Sequence, residues 1–373
     1  MLKWIHQEIS KFGHQVLSRN PYQVLGIGLT FFIFKSGIRG ILPWSSFEPV
    51  EKFPELQETL SSYSLGLLAV SHLFRANTEI RFFLLNLVLL ILFFLIAFVL
   101  LRVKSNSSSL TVFLILVFIY SPIGIVLFGN IGRHDLLTIF GYVFFFILID
   151  RKSRYIGIAL GVLGSPEHFL VGWIFALITA LLLGNRELIC HCKKALLASV
   201  TLSIPLFLYV SLQTNSQNRL TNILTEMGYM KIGLRNFLSS FPLELYSYFG
   251  FLTPVFLFLL CLIGRQSSRT FIFLLLVFTF PMLINIIIVD KTRDYVIALL
   301  ASFLILVKNS LTNPLIRNSL EETQNKFFLV GLLTLLMLFS PSIEVTFEGN
   351  PRAPHEWTVL KILEYCGMPN PIC

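Results

Sequence analysis

The chain predicts an all-α, polytopic membrane protein: a bundle of about eleven transmembrane helices, some short or broken, with amphipathic helices in its outer loops. Four observations carry that prediction. Hydrophobic residues make up 55% of the 373 positions, and 37 of them are Phe. Charged residues make up only 13%, where a soluble chain carries roughly a quarter. Mean hydropathy is +0.77. The runs Phe82–Leu101, Leu110–Phe128, Ala195–Leu212 and Phe271–Val289 approach the ~20 apolar residues that a helix needs to cross hydrocarbon.

Residues 1–19 place Leu2, Ile5, Ile9, Phe12 and Val16 at spacings of three and four, with Lys3, His6, Glu8 and Lys11 between them. This pattern predicts an amphipathic helix lying on the cytoplasmic leaflet. No small-residue cleavage site follows the first apolar run, so a cleaved signal peptide is not expected. A transmembrane domain follows over 20–342, with apolar segments near 21–41, 80–101, 110–128, 136–149, 155–164, 169–184, 195–212, 247–264, 270–289, 294–307 and 326–342. Outer loops occupy 42–79 and 213–246, and 343–373 reads as an extracytoplasmic tail.

Orientation follows from Lys and Arg in short loops. With a cytoplasmic N-terminus, the inner loops hold Arg102, Lys104, Arg151, Lys152, Arg154, Arg186, Lys193, Lys194, Arg265, Arg269 and Lys308, and few acids. The net charge of +9 therefore reflects topology, and no nucleic-acid partner is implied. The protein is expected in the plasma (inner) membrane of the cell envelope, with its C-terminus outside. Cys366 and Cys373 lie close together in the outer tail, where a local disulfide is plausible chemistry. Cys190-His191-Cys192 supplies too few ligands for a zinc site by itself.

The same orientation puts three charged strings on the outer face: Arg133-His134-Asp135, Pro166-Glu167-His168 and Asp290-Lys291-Thr292-Arg293-Asp294. Each adjoins a segment too short to cross alone. Segment 136–149 has 14 residues, about 21 Å of helix, and 294–307 has the same length. Segment 155–164 is shorter still. Pro166 ends one helix and begins the next, and Glu167 then sits at a positive helix end. Ionisable groups are costly in lipid, so these strings predict one deep, outward-opening pocket lined by His134, Asp135, Glu167, His168, Asp290 and Asp294. The competing reading is that each string only marks an interface, with Arg133, Lys291 and Arg293 snorkelling outward or paired with neighbouring acids.

The first outer loop alternates Trp44, Phe47, Phe53, Leu56 and Leu60 with Glu48, Glu51, Lys52, Glu55 and Glu58, which suggests short surface helices. It serves either as a lid carrying a catalytic acid, Glu48 or Glu51, or as a solvated acidic face. Loop 213–246 has an apolar stripe with Arg219, Lys231 and Arg235, suited to phosphate or to lipid headgroups.

This layout resembles the GT-C superfamily of integral membrane glycosyltransferases. The resemblance covers the general plan of residues 20–310: a cytoplasmic N-terminus, a long amphipathic loop after the first span, and a short polar outer loop, here Arg133-His134-Asp135, after the third. It implies inverting transfer of a sugar from a polyprenyl-phosphate-linked donor to a glycan, lipid or protein acceptor on the outer face. Glu48, Glu51, His134, Asp135, Glu167 and His168 would be catalytic candidates. Arg133, Lys291 and Arg293 would hold the departing phosphate, with Asp290 and Asp294 completing the polar pocket. His134, Asp135, Glu167 and His168 are alternatively ligands for a divalent cation, Mn or Mg, on that phosphate. The first loop departs from the pattern in having no Asp. Other readings stay open: a polysaccharide polymerase or ligase, a transporter or flippase of a lipid-linked or anionic solute, or a metal-dependent outer-face hydrolase or acyltransferase built on His134 and His168. No P-loop, dinucleotide fingerprint, nucleophile elbow or zinc-protease helix is present, which argues against ATP or NAD chemistry.

Overall fold

The structure, a computed structural model, describes residues 2–36, 65–129, 131–132, 135–148, 151–213, 234–235, 238, 243–244, 246–284, 291–312, 322–341, 344–345 and 351–352. Among these residues the fold is all-α. Its helices are α1 (Leu2–Ser18), α2 (Pro21–Ser36), α3 (Leu65–Leu73), α4 (Glu79–Ser105), α5 (Ser108–Tyr120), α6 (Pro122–Gly129) and α7 (Asp135–Ile147). They continue as α8 (Arg151–Gly164), α9 (Pro166–Leu183), α10 (Arg186–Gln213), α11 (Thr253–Gln266), α12 (Ser268–Ile284), α13 (Lys291–Thr312) and α14 (Thr323–Phe339). The two-residue strands Glu344–Val345 and Pro351–Arg352 pair antiparallel beyond the last helix.

Local chemistry sets many boundaries. Thr78, Ser107 and Ser165 cap the starts of α4, α5 and α9, each accepting a backbone N–H from the first turn. Pro166 occupies the first turn of α9, where its missing N–H costs nothing. Asn106 and Gly184 end α4 and α9 in the left-handed conformation.

Among the described residues, four helices are long and apolar enough to cross a membrane: Ile80–Ser105, Pro166–Leu183, Arg186–Leu206 and Tyr246–Arg265. A fifth crossing is available if α5 and α6 act together, but they bend by 68° at Ser121. The run 110–128 is therefore broken rather than continuous, because Pro122 has no N–H for the preceding ladder. A second difference concerns 294–307. That run is the centre of α13, whose 22 residues extend about 33 Å. The expected shortness came from counting apolar residues, whereas polar residues at both ends also adopt helix. Segments 136–149 and 155–164 do remain short, as the 13-residue α7 and the 14-residue α8. On α4, Leu84, Val88, Ile91, Leu92, Leu95 and Val99 are exposed along one face, an apolar surface suited to lipid.

The bundle is built around α7. Gly141 on α7 meets Gly157 and Gly161 on α8 almost backbone to backbone; a Cβ at Gly141 would lie 2.6 Å from the Gly161 Cα. Small residues permit this close approach, which suits helices packing in lipid. On its other sides α7 meets α4 and α13. Phe93 stacks on Phe140 at 5.2 Å, and the Tyr142 hydroxyl donates to the Phe169 carbonyl at 2.8 Å. The latter bond ties α7 to the start of α9.

The N-terminal helix forms as its periodicity predicts, but it has a protein partner. It packs along α14, with His6 stacked on Phe328 at 4.4 Å and His14 edge-on to Phe327 at 4.8 Å. Gly13 and Gly331 sit at the crossing, each against the other helix's backbone. Lys35 at the end of α2 donates to the carbonyls of Met337 and Leu338, satisfying the C-terminus of α14.

Candidate functional site

Helices α7, α9 and α13 begin at one end of the bundle, and each carries an acid in its first turn: Asp135, Glu167 and Asp294. The positive ends of three helix dipoles thus meet there, which lowers the cost of holding carboxylates. Helix α3 covers this end, since Gly66 abuts Leu137 and Leu163. The start of α4 joins it, with the Phe82 ring against Gly132.

Four of the sequence-predicted residues come together. The Arg293 Nε lies 3.7 Å from Asp135 Oδ1, and its Nη2 donates to Asp294 Oδ1 at 3.2 Å. Asp294 Oδ1 in turn lies 3.6 Å from His168 Nε2. The other nitrogen of that ring, Nδ1, is 2.7 Å from the Ser165 hydroxyl. Ser165 therefore caps α9 and orients His168 together. Burial grades across the cluster: Asp135 is 1% exposed and Arg293 8%, while the His168 side chain is 29% exposed. The guanidinium holds the buried carboxylate, and the imidazole forms the accessible edge.

Glu167 is exposed in the first turn of α9. Glu48, Glu51, Arg133, His134 and Asp290 lie outside the described residues, as does the Lys291 side chain at the start of α13. The cations Arg219 and Lys231, and Cys366 and Cys373, also lie outside them. Among the described residues no three His, Cys, Asp or Glu converge on a metal-binding point. What lies between Asp135 and Asp294 is a guanidinium, so the described groups suit Arg293 and do not fit a divalent cation as well. Cys190 is exposed and Cys192 buried, so the Cys-His-Cys string does not present its thiols to one point.

One buried acid escaped the sequence reading. Glu244 is 0% exposed, and its Oε2 accepts from the Tyr248 hydroxyl at 3.2 Å. Tyr248 stacks on Tyr295 with centroids 3.9 Å apart, so Glu244 lies one aromatic layer from the start of α13. A cavity of about 40 Å³ borders these rings, lined in part by Pro122, Phe249 and Phe278. The available signal was an acid set in the apolar string Phe-Pro-Leu-Glu-Leu-Tyr, inside a loop read for an apolar stripe and its cations.

Ser165→Ala is expected to cost about 1 kcal/mol through loss of the cap and to release the His168 ring. A fall in the thermal midpoint of the purified protein that Ser165→Thr does not share would show it; equal midpoints for both variants would refute it.

Fold and cluster together define a class: an all-α protein with several helices able to span a membrane and an ion-paired polar cluster where three helices begin. Against known proteins, no family model, curated protein or solved structure matches the chain.

Proposed function

We propose that this is an integral membrane glycosyltransferase of the GT-C kind, with the His168–Asp294 pair as its acid–base centre. The observation that carries this reading is the grading of the cluster, from a buried Asp135–Arg293 pair to a partly exposed imidazole backed by a carboxylate. Charged groups inside a lipid-facing bundle favour function over stability as their reason for being there. A histidine oriented by a hydroxyl on one side and a carboxylate on the other suits general-base chemistry.

In this reading an acceptor hydroxyl binds beside His168 and gives its proton to the imidazole as its oxygen attacks the anomeric carbon. The bond from that carbon to the donor phosphate breaks, and polyprenyl phosphate leaves with the electron pair. Arg293 is already engaged by two carboxylates, so its part is to fix Asp294 and thereby His168. Arg133 and Lys291 remain the candidate cations for the leaving phosphate, and Glu48 or Glu51 the candidate acid of the first loop.

The proposed topology has about eleven crossings, with α7 and α8 as short members and α5–α6 as a broken one. Lys104, Arg154, Lys194 and Lys308 belong to the other end of the bundle, and a cytoplasmic N-terminus accounts for that asymmetry. The cluster then faces outward, in a plasma or inner membrane.

The test is transfer from radiolabelled polyprenyl-phosphate sugars by reconstituted protein. His168→Ala and Asp294→Asn are expected to reduce turnover by about 10²–10⁴-fold, the usual worth of a general base. Absence of transfer from every such donor, with solute uptake into proteoliposomes instead, would favour the transporter reading. Transfer undiminished in both variants would remove the site assignment.

A further inference from the structure

At the far end of the bundle from His168, a second cavity of about 160 Å³ opens between α8 and α10. Phe145, Arg154, Tyr155, His191 and Lys194 line it. Arg154 is held in place: its Nε donates to the Leu148 carbonyl at 3.3 Å, and its Nη1 lies 3.0 Å from His191 Nε2. Its guanidinium also sits over the Phe145 ring, 6.0 Å from the centroid. Since an arginine only donates, His191 Nε2 accepts in this contact and the ring is neutral there. Three of the five Arg154 N–H donors have no partner among the described residues.

More positive charge surrounds the cavity. Lys104, at the end of α4, interacts electrostatically with Arg154, and Lys308 on α13 with His191. The one acid near the lining among the described residues is Glu187, 3.8 Å from His191 Nδ1 and 72% exposed. Like charges gathered in a concave site repel unless an anion joins them. Lys308 lies 15 positions after Arg293 on the same helix, about 22 Å along the axis, so the two sites belong to opposite ends of the fold.

We propose that this cavity binds the phosphate group of an anionic membrane lipid. Arginine matches phosphate through paired N–H donors, and Lys194 adds a second charge at the rim. The lipid source is favoured over a soluble phosphate because the cavity mouth adjoins exposed apolar residues. Tyr155 and Ile156 on α8 are 41% and 57% exposed, and Leu197 on α10 is 68% exposed. Acyl chains lying on that surface would bring the headgroup to Arg154. Basic pockets between helices near a membrane surface recognise anionic headgroups by this arrangement. The inference does not depend on the glycosyltransferase reading.

Native mass spectrometry of the full-length protein in detergent tests it, with phosphatidylglycerol and phosphatidylcholine added in parallel. Phosphatidylglycerol is expected to remain bound preferentially, with binding about five-fold weaker for each cation removed in Arg154→Gln and Lys194→Gln, and unchanged in Lys194→Arg. If the Arg154 variant fails to fold, Lys194→Gln alone, at a residue that lines the cavity, is expected to show the five-fold loss. Equal retention of the two lipids, or phosphatidylglycerol binding unchanged in the glutamine variants, would overturn the proposal. Displacement of the lipid by millimolar inorganic phosphate would assign the cavity to a soluble phosphate and equally overturn it.

Discussion

Arg293→Met is expected to destabilise the protein by about 3–5 kcal/mol, more than loss of any single surface contact. The reason lies in Asp135, which is 1% exposed and faces the Arg293 guanidinium at 3.7 Å. Removing the cation leaves a buried carboxylate that has lost its balancing charge, and also releases Asp294 from its hydrogen bond to Arg293. The penalty belongs to the unbalanced buried charge rather than to the pair. Arg293→Met combined with Asp135→Leu is therefore expected to recover much of the loss, since apolar replacements of buried ion pairs are often neutral. Unfolding of the purified protein in a denaturing detergent series, read for both single variants and the double, measures the coupling. Additive single losses would mean that Arg293 and Asp135 do not stabilise each other.

Gly141→Leu is expected to separate α7 from α8 and cost several times more than a surface substitution. Even a Cβ at this position would meet the Gly161 Cα at 2.6 Å and the Gly157 carbonyl at 2.8 Å, and neither is a flexible side-chain end. Overpacking typically costs about 1–3 kcal/mol, and here the only relief is movement of a whole helix. Because α8 leads directly into Ser165 and His168, the cluster would move with it. Gly26→Leu is the control, as a Cβ there meets nothing within 4 Å. Heat-challenged size-exclusion profiles of the two variants should differ sharply; similar profiles would show that the α7–α8 contact is not constraining.

Much of the helix pattern was readable in the chain. Ser165-Pro166 announces the start of α9 because one residue caps and the other tolerates the first turn. Pro122 announces the break after Ser121, although the unbroken run of apolar residues concealed it. The length of α13 was not readable from hydropathy. Its first turn carries Lys291, Arg293 and Asp294, and at least Arg293 and Asp294 are accommodated by partners that come from α7 and α9. Glu244 was missed for a related reason: Tyr248, which donates to it, stacks on Tyr295 of α13, a neighbour only in space.

The candidate site divides in the same way. Loop parity and positive charge placed Asp135, His168, Arg293 and Asp294 on one face, because successive crossings return the chain to alternate sides. Which acid pairs with Arg293, and which ring nitrogen meets Ser165, depends on helix rotation. That rotation is set by packing, at Gly141 against Gly161 and at Tyr142 against the Phe169 carbonyl.

By itself, the amino-acid sequence determined the all-α class, most helix starts and the scarcity of charge, because apolar content and caps act locally or sum over the chain. Only the tertiary structure decided that α1 lies along α14, that α5 and α6 bend apart, and that a guanidinium sits between two carboxylates. Those outcomes depend on contacts between residues far apart in the chain, whose energies no local pattern records.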